Sequence, residues 1–212
     1  MNVLSFGKED VMKMERRFRL RLINTLSGFK SVNLVGTVDS AGNENLAIIS
    51  SVIHLGSDPA LMGFISRPAF VERNTFFNIK ETSSFTFNHI NEAIYKKAHQ
   101  TSARYPKEIS EFDQVGLTPI YKDNFKAPFV KESPVQIGLI FREKVDIKLN
   151  DTILIIGEIQ SIYVPEHSLH SDGFLDIEKA GSITCSGLDS YHLTNQIARL
   201  SYAKPNKELI EI

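Results

Sequence analysis

The sequence predicts a mainly β protein, a β-barrel with a few helices, and three observations lead there. Apolar runs of strand length recur between residues 32 and 164. Turn-forming clusters such as Asp39-Ser-Ala-Gly-Asn43 and Gly56-Ser-Asp-Pro59 divide them. The helical patterns in between are few and short. No repeat, low-complexity tract or linker interrupts the 212 residues, so a single domain over 1–212 is expected.

The elements follow in order. Over residues 15–27, Phe18, Leu20 and Leu22 alternate with arginines as in a strand, while Leu22, Ile23 and Leu26 share a helical face; Gly28, a natural stop, favours the helix. The run VNLVGT, residues 32–37, reads as a buried strand, and residues 45–53 pair back on it across the Asp39–Asn43 turn. A third strand, 60–66, follows the Gly56–Pro59 turn. Asn74 or Thr75 caps a short helix, TFFNIKET, and residues 84–89 alternate small polar with aromatic side chains as a fourth strand.

A helix over 92–104 comes next, then a shorter one opened by Ser110. Residues 119–134 are polar and turn-rich, a long connection lying over the barrel. Strands at 135–147 and 152–164 are joined by Asn150–Asp151, and the LIIGEI of the second is apolar enough to expect burial on both faces. A last strand at 181–186 and a short helical or irregular piece at 188–202 end the domain.

Composition narrows the function. Hydrophobic residues make up 42% and charged residues 23%, enough for a barrel core, and the net charge of −1 gives no global field for nucleic acid or membrane. The basic run from Arg16 to Arg21 is local and reads as a solvated face. Cys185, the one cysteine, allows no internal disulfide, fits a reducing compartment, and is read as a small buried residue. No signal-peptide pattern opens the chain and no stretch has the length of a membrane span, so a cytoplasmic protein is expected.

Candidate site residues concentrate between 45 and 105. Ser50 and Ser51 end an apolar strand; if extended, they face opposite ways, so only one can enter a core. Arg67, beside Ser66 just past the next strand, can offer a cation to a phosphate, though a surface salt bridge is the commoner fate of an arginine. Arg73, Asn74 and Thr75 open a helix, where free N–H groups favour anions, or where a side chain simply caps. His99, Thr101, Ser102 and Arg104 lie at the end of a helix and either reach a ligand or face solvent. The cluster Glu166, His167, His170 and Asp172 lacks zinc-ligand spacing, and no metal is expected there. GxSxG, P-loop, GxGxxG and HExxH patterns are absent. Hydroxyls and an arginine without an acid–base constellation point to an anionic, phosphate-bearing cofactor.

Taken together, these segments resemble the flavin reductase-like family of FMN-binding split barrels. NLAIISSVIHLGSDPALMGFISRP is similar to that family's strand–turn–strand element, and TFFNIKETSSFTFNHI to its Thr-x-x-Asn-Ile helix and following strand. HQTSARYPKEISEFDQVGLTP, APFVKESPVQIGLIFREK, IIGEIQSIYV and DGFLDIEKAGSITCSGLDSYH resemble later pieces, in order, from about residue 20 to residue 205. Two departures stand out: a single proline, Pro59, where the family often has two, and the long polar segment 119–134.

The resemblance implies a Greek-key-like FMN-binding split barrel, a homodimer with FMN near the subunit interface, and NADH or NADPH as reductant. Asn45, Ala47, Ile48, Ser50 and Ser51 would line the flavin and its phosphate tail. Ser66 and Arg67 would meet the phosphate, with Arg73 and Thr75 as lesser contacts, and His99, Thr101 and Ser102 would approach from the following helix. No catalytic residue is implied, because hydride transfer is the cofactor's chemistry. The electrons would pass to free flavin, a partner monooxygenase or a metal complex. An FMN-binding electron carrier without NAD(P)H activity of its own is the alternative.

Overall fold

The structure, a computed structural model, describes residues 2–67, 74–106 and 108–212. Its main sheet has seven strands in the order β3-β2-β6-β9-β10-β5-β4, with β2 at Asn33–Val38, β3 at Glu44–Ile49, β4 at Ile53–Ser57, β5 at Ala60–Ser66, β6 at Ser84–His89, β9 at Gln136–Ile147 and β10 at Thr152–Tyr163. Every neighbouring pair is antiparallel. The two outermost strands, β3 and β4, are consecutive in the chain and form the halves of one strand bent at residues 50–52. Its first half pairs with β2 and its second with β5, so the chain itself closes the sheet into a barrel. The sequence predicts one straight strand over 45–53; the bend replaces it because a strand that serves both ends of the sheet must turn a corner.

The alternation of β2 sorts the core into two layers. Val35 faces the barrel interior, where Phe64, Phe85 and Phe87 meet edge to face with centroids 5.3–5.9 Å apart, around Ile79, Leu139 and Ile155. Ile79 comes from α3 (Asn74–Thr82), whose buried side covers one end of the barrel. Leu34 faces outward and joins Leu46, Ile90, Phe112 and Val130 in a second cluster beneath α4 (Tyr95–Gln100) and α5 (Glu111–Val115). Strand β10 alternates buried and half-buried residues from Ile153 to Glu158, so it has one covered face where the sequence predicts two.

Other expectations are corrected in detail. The helix over 92–104 is restricted to Tyr95–Gln100, because Asn91 Oδ1 accepts the Ala93 and Ile94 N–H groups and holds the preceding turn out of the helix. Residues 119–134 contain a two-stranded hairpin, β7 (Pro119–Ile120) and β8 (Phe129–Val130), fixed through Thr118–Glu132 and Tyr121–Glu44 hydrogen bonds. The closing segment is shorter than 181–186, with β11 at Thr184–Ser186; it pairs with β1 (Lys30–Ser31) and with β12 (Ser190–His192), a strand inside the stretch expected to be helical or irregular. A short α1 (Lys8–Lys13) precedes α2 (Arg16–Thr25), which Glu15 caps by accepting the Arg17 and Phe18 N–H groups and which Gly28 follows at φ +74°.

Candidate functional site

The predicted residues fall into three groups along the bent strand. At the bend, Ser51 Oγ donates to the Ile65 carbonyl and accepts the Ile65 N–H, both at 3.1 Å, which brings Ser50–Ser51 beside Ser66–Arg67 at the end of β5. Ser66 is buried, and among the described residues its Oγ has a 3.5 Å contact to the Arg67 carbonyl. Arg67 is exposed and makes no ion pair among the described residues. Ser50 is half-buried, its hydroxyl against the Cys185 thiol.

At the other end of β3, Asn45 is buried and donates from Nδ2 to Thr37 Oγ1 at 3.3 Å and to Thr75 Oγ1 at 3.1 Å. Asn78 donates to the same Thr37 oxygen at 3.2 Å, so this group fastens the start of α3 to the barrel end. Ala47 lies on the same face as Asn45, and Ile48 on the opposite one, packed against the outer cluster. Asn45 and Ser51 are six residues apart, about 20 Å along an extended chain. A ligand that reaches both must be elongated.

The third group lines the outer edge of β3. The Ile48 N–H donates to Thr101 Oγ1 at 3.0 Å, while that hydroxyl donates to the Ala98 carbonyl at 2.8 Å. The proton and one lone pair of the Thr101 hydroxyl are thereby used inside the fold. One step along, the Leu46 N–H donates to Glu111 Oε2 at 2.9 Å. Desolvation raises the Glu111 carboxyl above its ordinary value, opposed by the backbone hydrogen bonds it accepts. These side chains satisfy the edge amides that a bare edge strand leaves open. His99, by contrast, is exposed and bonds through Nδ1 to Tyr191 OH at 2.8 Å, and Ser102 and Arg104 are exposed. Arg73 lies outside the described residues.

Sequence reasoning missed Glu111, Tyr191 and His89. Glu111 has no signal that sets it apart from Asp113 in the same first turn, and nothing in the sequence pairs it with β3. His89 opposes Asn33 across β2–β6 and shares a 2.8 Å hydrogen bond through Nδ1 with Ser182 Oγ; burial lowers its pKa to about 4. The Glu166–Asp172 segment is engaged otherwise: Asp172 pairs with Arg199 at 2.6 Å, His170 packs on Phe174, and His167 Nε2 contacts the Lys179 carbonyl. Two concave grooves, along α2 at Glu15–Thr25 and at the Asp39 turn, share no residue with the hydroxyl set.

Chemically, the bend presents a guanidinium with no ion pair among the described residues and hydroxyls that suit a phosphate, and the strand beside it runs on toward the α3 start. Comparison with known proteins gives the family and the fold. Residues 26–178 match the model of the flavin reductase like domain. A putative flavin reductase with split barrel domain from Shewanella frigidimarina NCIMB 400 is 49% identical and superimposes with a TM-score of 0.92, over 95% of this chain and 100% of that one. Nitrilotriacetate monooxygenase component B from Bacillus cereus (21% identity, TM-score 0.81, 94% of this chain and 100% of that one) has the same fold. So does flavoredoxin of Desulfovibrio vulgaris (24%, TM-score 0.69, 84% and 92%).

Proposed function

The chain belongs to the flavin reductase-like family, and from that premise we propose that it is an NAD(P)H-dependent flavin oxidoreductase that binds FMN along the bent strand β3–β4. The observation that carries this reading is the convergence of Ser50–Ser51 with Ser66–Arg67 where the barrel closes. FMN is elongated, with fused rings, a ribityl chain and a phosphate, and it matches the extent of that strand. Ser66 and Arg67 would hold the phosphate, with Arg73 and Thr75 as further contacts. Ala47, Ile48, Ser50 and Ser51 would line the remainder, approached from α4 by His99 and Ser102.

The residues act by holding and orienting. Asn45 and Thr101 serve indirectly, Asn45 by tying α3 to the barrel end and Thr101 by fixing the Ile48 backbone. FMN, when bound, would supply the redox chemistry, with NADH or NADPH as the hydride source. The protein's hydroxyls and N–H groups stabilise negative charge beside it without a catalytic acid or base.

The same reading includes a homodimer. Helix α2 buries none of its residues, and Phe18, Ile23 and Leu26 are 55%, 47% and 69% exposed. An apolar face of that kind needs a cover, and a second copy supplies one. It also places the whole chain in the cytoplasm as one domain, with a monooxygenase component as a candidate acceptor of the electrons. Fluorescence titration of the purified protein with FMN tests the reading: saturable quenching supports it, and none at millimolar FMN removes it.

A further inference from the structure

The hairpin β11–β12 lies beyond residues 26–178, the stretch that matches the family's domain model, and it packs onto two of the predicted site residues. Cys185 and Tyr191 are direct partners across it. Cys185 is buried in the outer cluster, its thiol near the Ser50 hydroxyl at the bend. Tyr191 packs its ring on Tyr95 and edge-on against His99, with centroids 5.5 and 5.8 Å away, and its OH is 2.8 Å from His99 Nδ1. One short hairpin therefore touches both the bend and the end of α4, which are 49 residues apart in sequence.

The direction of the Tyr191–His99 bond follows from the phenol. Burial pushes Tyr191 up to about 12, so its proton stays on at neutral pH. A desolvated phenol donates, and His99 Nδ1 is the acceptor the structure gives it. With the phenol as donor, Nδ1 would carry no hydrogen and a neutral imidazole would hold its proton on Nε2, the other ring nitrogen.

We propose that β11–β12 is a positioning element for the flavin site, in which Tyr191 locks His99 in the Nε2–H tautomer as a donor toward a ligand oxygen and Cys185 seats the Ser50 hydroxyl. This rests on the flavin reading above. His99 and Ser50 are the groups that meet the ligand; Tyr191 and Cys185 act through them. The hairpin couples two distant parts of the strand–helix surface to one rigid pair of backbone strands, so neither group has to be ordered when the ligand arrives.

The test has two arms. In the flavin-free protein, nitrogen NMR of His99 should show the Nε2–H tautomer at neutral pH, and Tyr191→Phe, which keeps the ring and removes the OH, should give a mixture of tautomers with an unchanged melting midpoint. In the second arm, Tyr191→Phe should weaken FMN binding about threefold to tenfold, the range of one hydrogen bond. Cys185→Ser should bind FMN like the wild type and Cys185→Ala more weakly, a contrast that carries the test if Tyr191→Phe loses its fold. Unchanged tautomer populations, or a wild type that binds FMN no better than Tyr191→Phe and Cys185→Ala, overturn the proposal alone. A wild type that binds no FMN overturns the flavin reading and this proposal with it.

Discussion

Ser51 holds Ile65 by both of its backbone polar groups, its hydroxyl giving a hydrogen bond to the carbonyl and taking one from the N–H, each at 3.1 Å. A side chain here does what a strand partner does elsewhere in the sheet. Where the strand turns at residues 50–52 the backbone ladder lapses, and the serine bridges that lapse.

Ser51→Ala should therefore act on stability. It leaves two backbone groups of a half-buried residue without partners, a loss of about 1–3 kcal/mol. Urea unfolding monitored by circular dichroism measures it, and Ser51→Thr, which keeps the hydroxyl, should recover most of the difference.

Arg67→Ala should behave in the opposite way. The residue is exposed and without an ion pair among the described residues, so the unfolding midpoint should not move. FMN binding should weaken by about 1–3 kcal/mol if the guanidinium meets the phosphate. Titration with FMN and with riboflavin separates the terms, since the loss should vanish for the ligand without a phosphate.

Gly36→Ala should be among the most damaging small changes. A Cβ at Gly36 would stand 2.2 Å from the Pro128 carbonyl oxygen and 2.6 Å from Thr86 Oγ1. The first is backbone of the β7–β8 segment, which Thr86 ties down through its own bond to Pro128. Overpacking at such a point costs about 1–3 kcal/mol or more. Thermal melting should show it, with the 119–134 segment gaining amide exchange first.

Two ionisable groups give stability opposite dependences on pH. His89 has its folded-state pKa lowered from 6.5 to about 4, so its contribution is present above pH 6.5 and is lost as the pH falls toward 4, by about 2–3 kcal/mol. Glu111 has its folded-state pKa raised above 4.5, so its contribution is full below 4.5 and is lost as the pH rises through the raised value. Unfolding free energies from pH 7 to pH 4 should fall less steeply for His89→Gln than for wild type. Glu111→Gln, which mimics the protonated acid, should compare best with wild type at pH 7 and lose that advantage in acid.

The strands were legible because their signals are local. Alternation in 84–89 and the turn clusters at 39–43 and 56–59 place β6 and the hairpins within a residue or two. The bend at 50–52 was not legible, since nothing in NLAIISSVIHL marks where one strand changes partners; that is decided by β2 and β5, far away in the sheet. The site was legible as residue types and not as roles. Thr101 and Asn45 also make bonds that the sequence does not announce, Thr101 to a backbone amide and Asn45 to the start of a helix. Tyr191 and Glu111 stayed hidden because their partners, His99 and Leu46, lie 92 and 65 residues away.

The most direct test of the account is the flavin absorbance of the purified protein with one equivalent of FMN, followed anaerobically as NADH or NADPH is added. Bleaching of the oxidised flavin band by either nucleotide, faster than for free FMN, is the predicted result. A bound flavin that neither nucleotide bleaches would contradict it and leave an electron carrier reduced by another protein.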